Sequence, residues 1–131
     1  MFLLSSYPPI SVLLDIRKKP NTMNKYNAKT FELMKTQIET NGSLEITAFG
    51  NSMYPTIKDG ERLTIIPQKE YSVGDIIAYV YSLDPLNIII HRIICKRKNS
   101  VFTKGDNNNF IDKLVPNNKI MGIAIRIEDN Q

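Results

Sequence analysis

Six runs rich in β-branched and aromatic residues, separated by glycine, aspartate and asparagine, constrain this chain more than any other feature. SLEITAF and KIMGIAIRI alternate apolar with polar residues, RLTIIP and DIIAYVYSL are β-rich, IIIHRIIC is almost continuously apolar, and SVFTKG is short. IKDGE, SVGD, KGDNNN and PNNK stand between them as turn punctuation. Only the segment before them has helical spacing. In YNAKTFELMKTQIET, residues 26–40, Phe31, Met34 and Ile38 fall on one face with Leu33 near its margin, and Asn41-Gly42 supplies a stop. The expectation is a mostly-β single domain: one N-terminal helix followed by a curled or barrel-like antiparallel sheet of about six strands. A length of 131 residues suits one modest core, here assigned to residues 26–131.

Residues 1–25 read as a flexible arm. MFLLSSYPPISVLLDI is apolar, but Pro8 and Pro9 break it and Asp15 ends it, short of the roughly 20 residues a spanning helix needs. Arg17, Lys18 and Lys19 follow the apolar stretch, whereas a secretory signal carries its basic residues first. Met23 offers a second start for translation. The expected location is the cytoplasm, with peripheral membrane contact open to the arm.

Seventeen basic against thirteen acidic residues give a net charge of +4, compatible with an acidic partner or a membrane surface. No stacked aromatic-basic motif and no helix-turn-helix pattern is present, so nucleic acid is not an expected partner. Cys95 is the only cysteine, which excludes a disulfide framework; within IIIHRIIC it reads as a small core residue. One histidine, one cysteine and no HExxH pattern leave no expectation of a metal or other cofactor.

The candidate chemistry lies in three places. Ser52, in GNSMYPTI, follows the run SLEITAF where the chain leaves the sheet, and Pro55 pushes Tyr54 out of the α region. By itself it reads as a turn serine. His91 interrupts an apolar run on the parity of Ile89, Ile93 and Cys95. It fits a half-buried, satisfied histidine or a general base, since an imidazole with a pKa near about 6.5 accepts a hydroxyl proton at neutral pH. TKGDNNNFID places Asp106 and Asp112 around an asparagine run. These aspartates fit a turn, or supply the carboxylate that fixes a histidine's tautomer. Phe110 and Ile111 should pack inward and carry Asp112 toward the strand of His91.

Taken in order, these segments resemble a known family. GNSMYPTIKDGERL resembles the nucleophile box of type I signal peptidases, GDIIAYV the strand after it, HRII the second box and TKGDNNNFID the third. The resemblance runs from about Leu44 to Ile127 and includes the wider clan of LexA-like serine peptidases. Because the base position holds His91 where bacterial members carry lysine, the similarity is to the Ser-His type. It implies Ser52 as nucleophile, His91 as base, Asp112 as the carboxylate orienting it and Asp106 as a loop support. It also implies a substrate strand beside the nucleophile, in a groove lined by Met53, Pro55 and the apolar residues of LEITAF and IIAYVY. The backbone N–H of Ser52 would be one oxyanion donor; Gly50, two residues earlier, has no side chain to add a second.

The chain departs from signal peptidases in carrying no spanning anchor, and from self-cleaving relatives in carrying histidine and no Ala-Gly or Cys-Gly bond before Ser52. It looks most similar to small soluble members. The expected function is a serine endopeptidase that removes a leader or signal-like segment from a peptide or preprotein, alongside companion proteins of a peptide-maturation cluster. The alternative is a catalytically silent module that binds an extended peptide by strand addition.

Overall fold

The computed structural model describes residues 2–5, 24–83 and 86–127. The chain runs β1 (Phe2–Ser5), α1 (Asn24–Asn41), β2 (Leu44–Phe49), β3 (Arg62–Ile66), β4 (Ile76–Leu83), β5 (Leu86–Lys96), β6 (Ser100–Lys104), β7 (Val115–Pro116) and β8 (Ile120–Arg126). The strands form one sheet in the order β1-β2-β3-β8-β4-β5-β6-β7, antiparallel at every pairing. The mostly-β architecture with one helix agrees with the sequence expectation. The sheet curls but does not close, and it has eight strands, because β1 and the two-residue β7 add an edge on each side.

β1 lies within the stretch expected to be an arm. Its backbone pairs with β2, from Phe2 opposite Phe49 to Ser5 opposite Ile46. Residues 24 and 25 of that stretch already belong to the helix, and Met1 and residues 6–23 lie outside the described residues. Among the described residues no helix is long and apolar enough to cross a membrane.

The helix covers one face of the sheet. Met34 is fully buried there, with Phe31, Leu33 and Ile38 packed against the same core. Gly42, at a φ of 78°, ends the helix by donating its N–H to the Ile38 carbonyl, a left-handed position that a side chain would strain. Strict alternation in β2 sends Leu44, Ile46 and Ala48 into this core while Glu45 and Thr47 turn outward.

At the centre of the sheet both faces are covered. From β4 and β5, Ala78, Val80, Leu86, Ile88 and Ile90 join the core under the helix. Ile77, Tyr79 and Ile93 point the other way, into a second cluster with Val101 and Val115. The near-continuous apolar character of DIIAYVYSL and IIIHRIIC follows from this over their central positions, Ile77–Val80 and Ile88–Ile93, while Tyr81, Leu83 and Cys95 at the ends are exposed.

One sequence expectation is corrected at the end of β5. Cys95 is exposed, not buried. The pairing with β6 shifts register between Ile93 and Cys95, so that Ile93 faces Thr103 and Cys95 faces Phe102. The extra residue breaks the two-residue period that a straight strand would have carried on from His91.

Candidate active site

The turn after β2 carries Ser52. Tyr54 N–H bonds back to the Asn51 carbonyl and Ile57 N–H to the Met53 carbonyl, and the Tyr54–Pro55 peptide is cis. Met53, expected to line a groove, is instead fully buried in the helix-side core, and its sulfur accepts the Asp106 N–H. It anchors the turn from beneath and presents no surface. Pro55 is exposed.

His91 reaches the serine from β5, on the face of the second cluster. Its Nε2 is 3.0 Å from Ser52 Oγ and its Nδ1 is 2.5 Å from Asp112 Oδ2. The imidazole is buried, and loss of hydration lowers its pKa below the usual histidine value despite the opposing pull of Asp112. It is therefore neutral at pH 7 and able to accept a proton. Ser52, His91 and Asp112, named separately from sequence, stand in one chain of contacts.

The loop after β6 supplies the carboxylate, by a route the sequence reading did not anticipate. Phe110 and Ile111, expected to pack inward, are 83% and 60% exposed. Polar contacts do the positioning. Asp112 N–H donates to the Thr103 carbonyl at 2.8 Å, and the Thr103 hydroxyl donates to Asp112 Oδ2 at 2.8 Å. Gly105 lies directly against the serine turn, where an added Cβ would sit 2.5 Å from the Ser52 carbonyl oxygen. Only glycine lets the two loops approach so closely. Asn107 closes the contact, its backbone N–H bonding the Ser52 carbonyl and its side chain the Asn51 carbonyl.

Asp106 takes the opposite direction from Asp112. Arg92 grips it with two hydrogen bonds, Nε to Oδ1 at 2.9 Å and Nη2 to Oδ2 at 2.8 Å, while Thr56 Oγ donates to Oδ2 at 2.6 Å. One carboxylate thus joins the serine turn to the strand of His91. The Arg92 bonds, foremost, hold the Asp106 pKa below the ordinary aspartate value. Asp106→Asn is expected to lower the melting temperature more than the rate, with a cost of about 1 to 2 kcal/mol for the broken fork. The sign in pH is fixed: a depressed carboxylate pKa stabilises above the unfolded value near about 4 and loses that contribution as pH falls. Melting wild type and mutant from pH 7 down to pH 3 checks it, since the gap should narrow in acid.

Sequence reading missed Thr56, Tyr79, Arg92, Thr103 and Gly105. Arg92 adjoins His91 and Gly105 adjoins Asp106, so both lay inside the motifs that carry the chemistry. Nothing local marks Thr103 or Tyr79, each of which reads as a β-strand residue. No group of three or more histidine, cysteine, aspartate or glutamate side chains suited to a metal occurs among the described residues.

The model of the Peptidase S24-like family matches residues 18–125, most of the chain and the whole of the arrangement above. The chain belongs to the Peptidase S24-like family. This places it in the LexA/signal peptidase I-like clan and supports a peptidase-type enzyme. A comparison with curated proteins gives no match. In this S24-like chain the two boxes that surround the serine and the aspartates are welded by backbone contacts, through Gly105 and Asn107, as well as by side chains.

Proposed function

We propose that this S24-like chain is a serine endopeptidase that trims a leader or signal-like segment from an extended peptide or preprotein. The observation carrying this reading is that a buried, neutral imidazole touches a serine hydroxyl with one nitrogen and a carboxylate with the other. Ser52 Oγ attacks the scissile carbonyl as His91 Nε2 takes its proton. The Asp112 carboxylate stabilises the imidazolium that results and keeps the Nδ1 proton where Nε2 can act as base. His91 then returns the proton to the leaving amine, and water repeats the cycle on the acyl-enzyme. As the resemblance implies, the Ser52 backbone N–H serves the developing oxyanion. The substrate lies beside the nucleophile as an added strand, exposed Pro55 stands at the rim of its groove, and small residues are favoured just before the cut.

Labelling with a fluorophosphonate tests the nucleophile without knowledge of the substrate. The serine oxygen bonds phosphorus, fluoride leaves, and His91 takes the proton. Wild type should label and Ser52→Ala should not. Absence of labelling in wild type would favour a silent peptide-binding module.

The pH profile follows from the burial of His91. A base must be neutral to act, so kcat/KM for a cleaved peptide should rise with pH along a limb below about 6.5 and be flat by neutrality. A limb well above pH 8 would instead point to a lysine such as Lys104.

A further inference from the structure

Asp112 sits in a loop with no apolar anchor of its own. Among its neighbours Asn109, Phe110, Ile111, Lys113 and Leu114 are all exposed, and the next buried side chain is Val115. A carboxylate on such a loop would ordinarily sample several rotamers, yet it is aimed at His91 Nδ1. The restraint comes from a residue on β6. Thr103 is fully buried and meets Asp112 twice, accepting its backbone N–H and donating its hydroxyl to Oδ2, each at 2.8 Å. One residue fixes both the peptide and the side chain of Asp112.

A second hydroxyl backs the first. Tyr79, buried on β4, places its phenol 3.3 Å from Thr103 Oγ and 3.4 Å from Asp112 Oδ2. Each hydroxyl has one proton. The shorter separation gives the Thr103 proton to Asp112, which leaves the Tyr79 proton shared between Thr103 Oγ and the carboxylate. Burial pushes the Tyr79 pKa far up, so the phenol keeps its proton at every working pH. Oδ2, the oxygen that faces His91, therefore gathers its charge among three donors.

We propose that Thr103, backed by Tyr79, is a positioning residue that holds Asp112 on His91 and limits how strongly that carboxylate pulls on the imidazole. The assignment of a catalytic role rests on the peptidase reading above; the tuning of His91 does not. Without the Thr103 hydroxyl, Asp112 keeps its backbone tie but loses the donor that fixes Oδ2. Its charge is then less shared, so it attracts the imidazolium more strongly and aims less well.

The chain has a single histidine, so its imidazole can be followed by NMR without ambiguity. Among the described residues, the charged groups that bear on it are Asp112 from the loop and, farther off, Asp106, with the neutral Tyr79 behind Asp112. The test compares wild type with Thr103→Val, Thr103→Ser and Tyr79→Phe by two readouts: titration of His91 and the rate of fluorophosphonate labelling. Thr103→Val should raise the His91 pKa by about 0.5 units. It should slow labelling about 10- to 100-fold, a fraction of the ~10⁴ expected when the carboxylate is lost altogether. Thr103→Ser, which restores the hydroxyl, should return both toward wild type, and Tyr79→Phe should move both in the same direction by less.

A folded Thr103→Val that labels at the wild-type rate with an unmoved His91 titration overturns the proposal. So does a folded Thr103→Ser that behaves as the valine variant. Should valine prevent folding, Thr103→Ser and Tyr79→Phe decide the matter, and a Tyr79→Phe protein unchanged in both readouts counts against it. A wild-type chain that does not label overturns the peptidase reading alone, since the titration of His91 still decides what Thr103 does.

Discussion

Ser52→Ala is expected to lower peptide turnover by about 10⁶, to background, while leaving the melting temperature within a degree or two of wild type. The two halves of this outcome have separate causes. The oxygen removed is the nucleophile itself, while the backbone N–H assigned to the oxyanion stays. The turn is held by groups the substitution leaves in place: the Ser52 carbonyl bonded to Asn107, the buried Met53, and the Tyr54 and Ile57 backbone bonds. Turnover of a cleaved peptide, with thermal melts of both proteins, measures it. Near-full turnover in the alanine protein would remove the serine-peptidase reading; a large drop in melting temperature would mean that the hydroxyl supports the turn.

Asp112→Asn should cost about 10⁴ in turnover with little change in thermal stability. Asparagine nearly preserves the shape but brings an NH₂ as well as an oxygen. With the NH₂ toward Nδ1, the imidazole proton moves to Nε2, and the nitrogen that must accept from Ser52 is already protonated. The backbone N–H of residue 112 still reaches the Thr103 carbonyl, so the loop stays in place. Measured beside Asp106→Asn, this mutant separates two aspartates six positions apart. One should lose rate and the other stability, and the reverse pattern would exchange their roles.

Much of this arrangement was legible in the sequence because it depends on local chemistry. Helical spacing of Phe31, Met34 and Ile38, ended by Gly42, located the helix, and alternation in LEITAF identified its buried face. Ser52, His91 and Asp112 could be named because the ordered motifs that carry them resemble those of a known family; by residue type alone the serine and the aspartates read as turn residues. What escaped depends on which strands become neighbours. Cys95 shares the parity of His91 along the chain, and a bulge against β6, invisible in one strand's sequence, turned it out. Phe110 and Ile111 were expected inside because they are apolar, yet hydrogen bonds from Thr103 already hold the loop. Thr103 and Tyr79 acquire a role only once β4, β5 and β6 lie side by side.

The double-sided packing of β5 also limits how such a site can change over evolutionary time. Ile88 and Ile90 feed one core, while Ile93 feeds the other and His91 shares its face. Moving the histidine one position back, to 90, would carry it into the core under the helix, away from Ser52, and would drive an isoleucine into the space between Ser52 and Asp112. A shift by two would keep the face but move the imidazole by about 7 Å along the strand, beyond hydrogen bonding to either partner. Substitution in place is therefore the only economical route, so descendants of this chain should vary the chemical identity of residue 91 long before they vary its address.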